Sequence, residues 1–253
     1  MKSFFGLSIK LGLIGSVLIG SAFIGTLQAL ALSQEQVLEK LMPVPVFTIT
    51  DAQGAPLVSS PSGQGNSQRA VTGVFISQKD AQNFVDTLKK DNPNLGNAVQ
   101  VVPVSLGEIY KMNQENKSKP DGLGFAFVPV SQQVQEAQRI LNSQEFRGVP
   151  LFVATAGKDN GYLTIENNGK QFIPFFFEKE QLQVILDNFK KQQPSLSSTV
   201  QIQVVSLEGV IKTLTEKNDQ GLNNVVLLPT IEAQEFLRSL RQNNSNNNQQ
   251  PRR

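Results

Sequence analysis

The chain has 253 residues, with 23 basic and 21 acidic side chains, and it contains no Cys, no His and no Trp. These absences exclude disulfides, catalysis by cysteine or histidine, and the usual zinc ligand sets. The nearly balanced charge argues against nucleic acid as the main partner. The length is sufficient for one large domain or two small ones with a substantial core.

The first 31 residues have the pattern of a Sec-type signal peptide. Lys2 and Lys10 are the only charged residues in this segment, residues 11–27 are apolar, and residues 29–31 read Ala-Leu-Ala. This order predicts export with removal of residues 1–31, which would leave a formally neutral chain. An uncleaved membrane anchor is the alternative, because the apolar stretch approaches the length of a membrane span.

Two segments of the sequence repeat at an offset of 101 positions. Residues 74–111 and 175–212 align without a gap and are identical at 13 of 38 positions. Two copies are too few for a solenoid. The repeat therefore predicts an α+β fold in which two pseudo-symmetric tandem α/β repeats pack into one globular unit, with a mixed or antiparallel sheet.

Weaker similarity extends these repeats outward and sets the expected domain organisation. The first repeat unit covers residues 43–147, and the second covers residues 148–241. An N-terminal amphipathic helix is expected over residues 32–42, where Ser33 and Gln36 form a capping box. The Asn/Gln-rich residues 242–253 predict a disordered tail.

Each repeat has the same predicted order of elements along the chain. Two strands joined by turn residues come first, followed by a helix, a third strand, a short helix, a fourth strand and a last helix. Pro93 and Pro194 end the first helix of each repeat, and Ser105 with Glu108 forms a capping box for a short helix. Pro174, inside a strand of the second repeat, favours an edge or a bulge. The predicted strands are 44–50, 71–76, 99–104, 123–130, 149–155, 172–177, 200–205 and 222–228.

The first helix of each repeat has an apolar stripe at helical spacing. The stripe contains Ala81, Phe84, Val85 and Leu88 in the first repeat, and Leu182, Ile185, Leu186 and Phe189 in the second. Residues at i, i+3, i+4 and i+7 share one face of a helix, so we expect both stripes to be buried.

Catalytic motifs are missing from the sequence. It has no nucleophile elbow, no Ser-x-x-Lys dyad, no phosphate-binding loop and no EF-hand spacing. Asp86 and Asp187 are the repeat-related carboxylates, but each precedes Lys90 or Lys191 by four residues, which is typical of a helix-stabilising pair. We therefore predict no catalytic residue, no metal and no cofactor, with a carboxylate-only enzyme as the minor alternative.

Phenylalanine is the most informative residue type, with 16 copies against two Tyr. Alternate residues of a strand face opposite sides, so Phe75 and Phe176 are expected on the core face, and Phe175 and Phe177 on the other. Two interpretations stay open for that second face. Helices cover it, or it forms an exposed apolar groove that binds a partner.

The order of four motifs resembles a known family. They read P-V-P-V-F-x-I-T from Pro43, V-T-G-V-F-I-S from Val71, V-V-P-V-S-L-G-E-I-Y from Val101, and F-V-P from Phe127. With the export signal, they are similar to the twenty-two-kilodalton component of the translocon at the inner envelope of chloroplasts, in its cyanobacterial form. The resemblance covers about residues 34–241 and implies an α+β fold with apolar grooves. It also implies a location in the periplasm, with the thylakoid lumen as the alternative.

The resemblance implies a chaperone-like or targeting factor that binds unfolded or translocating polypeptides, including outer-membrane β-barrel precursors. Its expected partners are such polypeptides and components of an outer-membrane assembly or translocon complex, without nucleic acid or metal. A non-catalytic scaffold subunit docked on such a complex is the alternative function. The candidate groove residues are Phe75, Phe125, Phe127, Phe152, Phe175 and Phe177.

Overall fold

The computed structural model describes residues 10–14, 32–59, 69–217 and 219–247. These residues form helices and two mixed sheets, in which antiparallel and parallel strand pairs occur together. The α+β class with mixed sheets, expected from the sequence, is therefore confirmed. Most of the predicted signal peptide and the end of the predicted tail, residues 248–253, lie outside the described residues.

The chain divides into two compact units, and each unit draws on two separate stretches of sequence. We call them the early unit, Leu41–Ser131 with Pro229–Arg253, and the late unit, Met1–Lys40 with Gln132–Leu228. The expected boundary between the repeats, at residues 147 and 148, does not coincide with the limits of these units. The helix that ends each predicted repeat belongs to the unit built on the other repeat, and the packing of each core gives the reason.

The early unit contains a five-stranded sheet and the helices packed against it. Its strands are β2 (Pro45–Asp51), β3 (Val58–Ser59), β4 (Val71–Phe75), β5 (Val99–Ser105) and β6 (Gly124–Val128). Its helices are α2 (Gln78–Asp91), α3 (Pro93–Ala98), α4 (Leu106–Lys117) and α8 (Ile231–Asn247). β2 pairs antiparallel with β5 and with β4, while β4 also pairs antiparallel with β3 and in parallel with β6.

The core of the early unit lies between one sheet face and the helices α2 and α8. The ring of Phe236 on α8 meets that of Phe47 on β2 edge-on, with centroids 5.6 Å apart and ring planes at 77°. Because α8 buries these apolar side chains here, it belongs to the early unit although its sequence lies in the second repeat. The buried members of this cluster are Phe47, Ile49, Phe75, Ala81, Val85 and Ala233.

Polar contacts fix the start of α2. The Ser77 hydroxyl oxygen accepts a hydrogen bond from the backbone N–H of Asp80 at 3.1 Å, as an N-cap does. The Glu232 carboxylate of α8 accepts a second one from the backbone N–H of Lys79 at 2.7 Å. Burial, and then the nearby charge of Glu232, raise the pKa of Asp80 above its usual range. The first turns of α2 and α8 are thereby joined.

The late unit contains a six-stranded sheet. Its strands are β1 (Lys10–Ile14), β7 (Pro150–Ala156), β8 (Gly161–Asn167), β9 (Lys170–Phe176), β10 (Gln201–Ser206) and β11 (Val225–Leu228). Its helices are α1 (Gln34–Leu41), α5 (Ser131–Leu141), α6 (Lys179–Gln192) and α7 (Leu207–Glu216). β8 pairs antiparallel with β1, β7 and β9, while β7 pairs antiparallel with β9 and β10, and β9 runs parallel to β11.

The core of the late unit lies between one sheet face and the helices α5 and α6. Ala137 of α5 is completely buried against this face, which explains why α5 belongs to the late unit. The stripe of α6 is buried as predicted, with Ile185 partly covered at its margin. The buried members of the cluster are Ala137, Phe152, Ala154, Ala156, Leu163, Phe176, Leu182, Leu186 and Phe189.

A polar network joins α5 to the start of α6. The Lys179 ammonium lies 2.8 Å from Oε2 of Glu136, and the Lys179 backbone N–H donates to Oε1 of the buried Gln133 at 3.0 Å. The Gln133 amide in turn donates to Glu180 at 2.8 Å. The hydrogen bond from Lys179 lowers the pKa of Glu136, and the charges of Lys179 and Arg139 act in the same direction.

Helix α1 is attached to the late sheet by a lysine. The Lys40 ammonium donates to the backbone carbonyls of Asn223 and Val225 at 2.9 and 3.0 Å. Burial lowers the pKa of Lys40. At the other end of the helix, Ser33 and Gln36 exchange two hydrogen bonds, which confirms the predicted capping box.

The two sheets share one internal strand order. The early sheet runs β5-β2-β4-β6 and the late sheet runs β10-β7-β9-β11, with a parallel pair at the end of each series. Pro174 lies in β9, inside the late sheet. Phe172, before the proline, pairs with β8, and Phe176, after it, pairs with β7. The missing N–H of Pro174 therefore falls where the antiparallel pairing of β9 changes partner. The tandem repeat itself stays a prediction.

Replacing Phe47 by Ala removes a completely buried ring of the early core. We expect the free energy of unfolding to fall by about 3–5 kcal/mol, from lost burial and the cavity left behind. Urea denaturation followed by circular dichroism measures this change. Val58→Ala is the matched control, because Val58 is exposed. Equal denaturation midpoints for both variants would contradict the assigned core.

Glu136→Gln should make the stability of the late unit less dependent on pH. Because folding lowers the pKa of Glu136, its stabilisation is complete above the unfolded pKa and is lost as the pH falls through the folded pKa. Urea midpoints of wild type and variant should differ at about pH 7 and converge near about pH 3. Arg139→Gln is the control with a small effect, because Arg139 is exposed. A difference that is independent of pH would contradict this account.

Candidate functional site

Four of the six predicted groove residues are buried. Phe152 and Phe75 pack within the late and early cores, with exposed fractions of 0% and 6%. Phe175 and Phe177 point to the opposite sheet face and are also buried, at 7% and 2%. The burial of these last two side chains agrees with the alternative in which this face is covered. A polypeptide would reach any of the four only after the fold opens.

The other two candidates, Phe125 and Phe127, are half-buried on strand β6. They lie opposite Thr72 and Val74 of β4 in the parallel register, so both rings occupy one face of the early sheet. Ala126 between them is exposed on the other face. Among the described strands, β6 pairs only with β4, which leaves its outer edge without a strand partner.

Phe84 on α2 is the exposed aromatic side chain that the sequence analysis placed in the core. Its exposed fraction is 46%, whereas Ala81 and Val85 of the same stripe are buried. Successive helical residues are about 100° apart, so Phe84 stands at the margin of the stripe and not at its centre. Its ring lies 5.7 Å from that of Phe75, at an angle of 56°. We call Phe84 and Phe75 the early aromatic pair.

The late unit has an aromatic pair of its own. Tyr162 on β8 is 37% exposed, and its ring centroid lies 6.4 Å from that of the buried Phe175. We call these residues the late aromatic pair. In both pairs, an exposed ring packs beside a buried Phe, which places aromatic apolar area at the surface. Val184 on α6 is an exposed aliphatic side chain, at 56%.

The carboxylates considered for catalysis are held by their own helices. Asp86 accepts a hydrogen bond from the Gln82 amide at 2.9 Å and lies 3.8 Å from the Lys89 ammonium. Asp187 likewise accepts from Gln183 at 2.9 Å. Within the described residues, no group of three or more acidic side chains is placed to hold a metal ion. These contacts stabilise helices and give no sign of a reacting pair.

No helix among the described residues combines the length and apolar character needed to cross a membrane. Among the described residues, Phe84 and Tyr162 are aromatic side chains that remain substantially exposed. The sequence predicted phenylalanine as the important residue type, but it did not distinguish buried rings from exposed ones. The position of Phe84 at the edge of its stripe was the available signal.

Comparison with known proteins gives concordant results for sequence and fold. The sequence pattern of the Tic22-like family matches residues 14–239. A chloroplastic TIC 22 protein of Pisum sativum is 24% identical over 205 residues, which are 79% of this chain and 75% of that protein. The solved structure of Anabaena Tic22, which is described as a protein-transport protein, matches this chain with a TM-score of 0.75 and 33% identity. That match covers 82% of this chain and 97% of the Anabaena chain.

Tic22 from Plasmodium falciparum shares the fold, with a TM-score of 0.65, 20% identity, and coverage of 82% and 98% of the two chains. The family pattern spans both aromatic pairs and nearly all of both sheets, including the motifs that the sequence analysis singled out. This chain therefore belongs to the Tic22-like family.

Proposed function

We propose that this chain is a non-catalytic protein-transport factor that binds unfolded or translocating polypeptides through exposed aromatic side chains. Membership of the Tic22-like family and the transport role named for Anabaena Tic22 support a place in protein transport. The observation that carries the binding mode is that Phe84 and Tyr162 are exposed while each rests on a buried Phe. In the proposed form, residues 1–31 are removed and the protein acts in the periplasm.

The aromatic pairs suit a binder that must also release its client. An aromatic ring offers a large apolar area, and Phe carries no polar group that needs a partner on burial. A single exposed ring binds weakly, so release needs no energy source. Two such rings on one chain raise the local concentration of a client held at one of them. The proposed clients are precursors of outer-membrane β-barrels, because apolar and polar residues alternate along each of their strands.

The second candidate function is a scaffold subunit docked on a translocon or an outer-membrane assembly complex. Strand β6 favours it, because its outer edge has no strand partner among the described residues and carries the half-buried Phe125 and Phe127, which suits a lasting contact with a partner. Co-purification at a fixed ratio with one membrane complex, without suppression of client aggregation, is the result that would select the scaffold.

Phe84→Ser tests the proposed client contact. An unfolded outer-membrane β-barrel protein is diluted from urea in the presence of the full chain, and aggregation is followed by light scattering. We expect about tenfold more of the variant to be needed for half-maximal suppression, because the exposed ring of the early aromatic pair is lost. Suppression by the wild type should not change between low and high salt, since the contact is apolar.

Val184→Ser is the matched control, because it removes from a helix an exposed apolar side chain that is aliphatic and not aromatic. It should suppress aggregation as the wild type does, and circular dichroism should show both variants folded. If Phe84→Ser were as active as Val184→Ser, the assignment of the early aromatic pair would be wrong. If the wild type suppressed nothing, the scaffold function would replace the proposal.

A further inference from the structure

One strand of the late sheet has an outer edge that is filled by the N-terminal segment. β1 pairs antiparallel with β8 over five residues, from Lys10 opposite Glu166 to Ile14 opposite Tyr162. On its other side, β8 pairs with β7 and β9 inside the sheet. β1 is therefore the end strand of the late sheet, and its backbone pairs with the outer edge of β8.

The segment that occupies this edge belongs to the part of the chain that we propose is removed. Residues 10–14 lie within the predicted signal peptide, residues 1–31. Cleavage would leave a row of backbone N–H and C=O groups on β8 without ladder partners. Strand edges in proteins are usually protected by charge, by proline or by a covering segment. After cleavage, β8 would lose its covering segment.

The sequence of β8 lacks the other protective features. It reads Gly-Tyr-Leu-Thr-Ile-Glu-Asn, with no Lys and no Pro, and its single charge, Glu166, lies near one end. Strand β5, at an edge of the early sheet, contains Pro103, which removes a backbone donor. The outer edge of β8 is therefore suited to accept a strand and not to repel one.

We propose that the outer edge of β8 is a strand-addition site for an extended client segment, and that residues 10–14 occupy it in the precursor. The sequence of β1 indicates which segments the edge accepts. It reads Lys-Leu-Gly-Leu-Ile, so it is mainly apolar and carries one charge at its start. Backbone pairing supplies affinity that depends little on sequence, as in other cases of strand addition. Tyr162, the exposed ring of the late aromatic pair, lies on this same strand. The inference rests on the proposed function, because it takes the client to be an extended polypeptide.

Two variants of the full chain control whether β1 covers the outer edge of β8. Lys10→Cys with Glu166→Cys joins directly opposed residues, and the chain has no other Cys, so oxidation locks β1 in place. Gly12→Pro opens the edge, because Pro in the middle of β1 disrupts the ladder. The reduced double-cysteine protein is the matched control for the lock.

The probe is a fluorescein-labelled peptide with the sequence of residues 9–15, and its anisotropy reports binding. The Gly12→Pro chain should bind it at least about tenfold more tightly than the locked chain. A peptide with Leu13→Pro should bind neither. Equal binding to the open and locked chains would overturn the inference. So would an open chain that forms dimers and binds no peptide, because the edge would then serve a second copy.

Aggregation assays on the same proteins separate this inference from the proposed function. If the locked chain suppresses aggregation of the unfolded β-barrel protein as well as the open chain does, strand addition is wrong while client binding stands. If the open chain binds the peptide but no form suppresses aggregation, the strand-addition site stands and the proposed function fails.

Discussion

The fold depends on apolar side chains, aromatic rings among them, buried between one face of a mixed sheet and two helices. With no Cys and no His in the chain, neither a disulfide nor the usual zinc ligands can stabilise it, so each unit relies on its own core. In the early unit, the edge-to-face contact of Phe47 with Phe236 holds α8 on the sheet. In the late unit, Ala137 and Phe189 fill the corresponding space above Phe152. The division of the chain into compact units follows from which helix covers which sheet.

Aromatic side chains build the cores and also supply the proposed binding surface. Phe75 and Phe175 are buried, yet each supports a ring that remains partly exposed, Phe84 or Tyr162. A side chain that already packs on a neighbour has less conformational freedom to lose when a client covers it. The chain has nearly equal numbers of basic and acidic side chains, so its net charge gives little long-range attraction. This suits clients that are recognised by their apolar content and not by one sequence.

Local features of the fold could be predicted from the sequence because they depend on neighbouring residues. The capping box of Ser33 with Gln36, and that of Ser105 with Glu108, form as their spacing indicates. Pro93 follows the end of α2 closely, as predicted. The α+β class with mixed sheets was also predicted, from the repeat and the family resemblance.

Features that depend on distant residues could not be predicted in the same way. An apolar stripe shows that α8 buries one face, but it does not show which sheet receives that face. The exposure of Phe84 depends on how far the neighbouring elements cover the margin of α2. Helix α8 also continues to Asn247, into the segment expected to be disordered from residue 242, because an established helix extends at small cost.

The central claim is that exposed rings supported by buried Phe contact the client directly. Photocrosslinking tests it most directly, with p-benzoylphenylalanine placed singly at Phe84, Tyr162 or Val184 of the full chain and an unfolded outer-membrane β-barrel protein as the client. We predict crosslinks from Phe84 and Tyr162, and a low background from Val184. Equal crosslinking from all three positions, or none from Phe84 and Tyr162, would contradict the account.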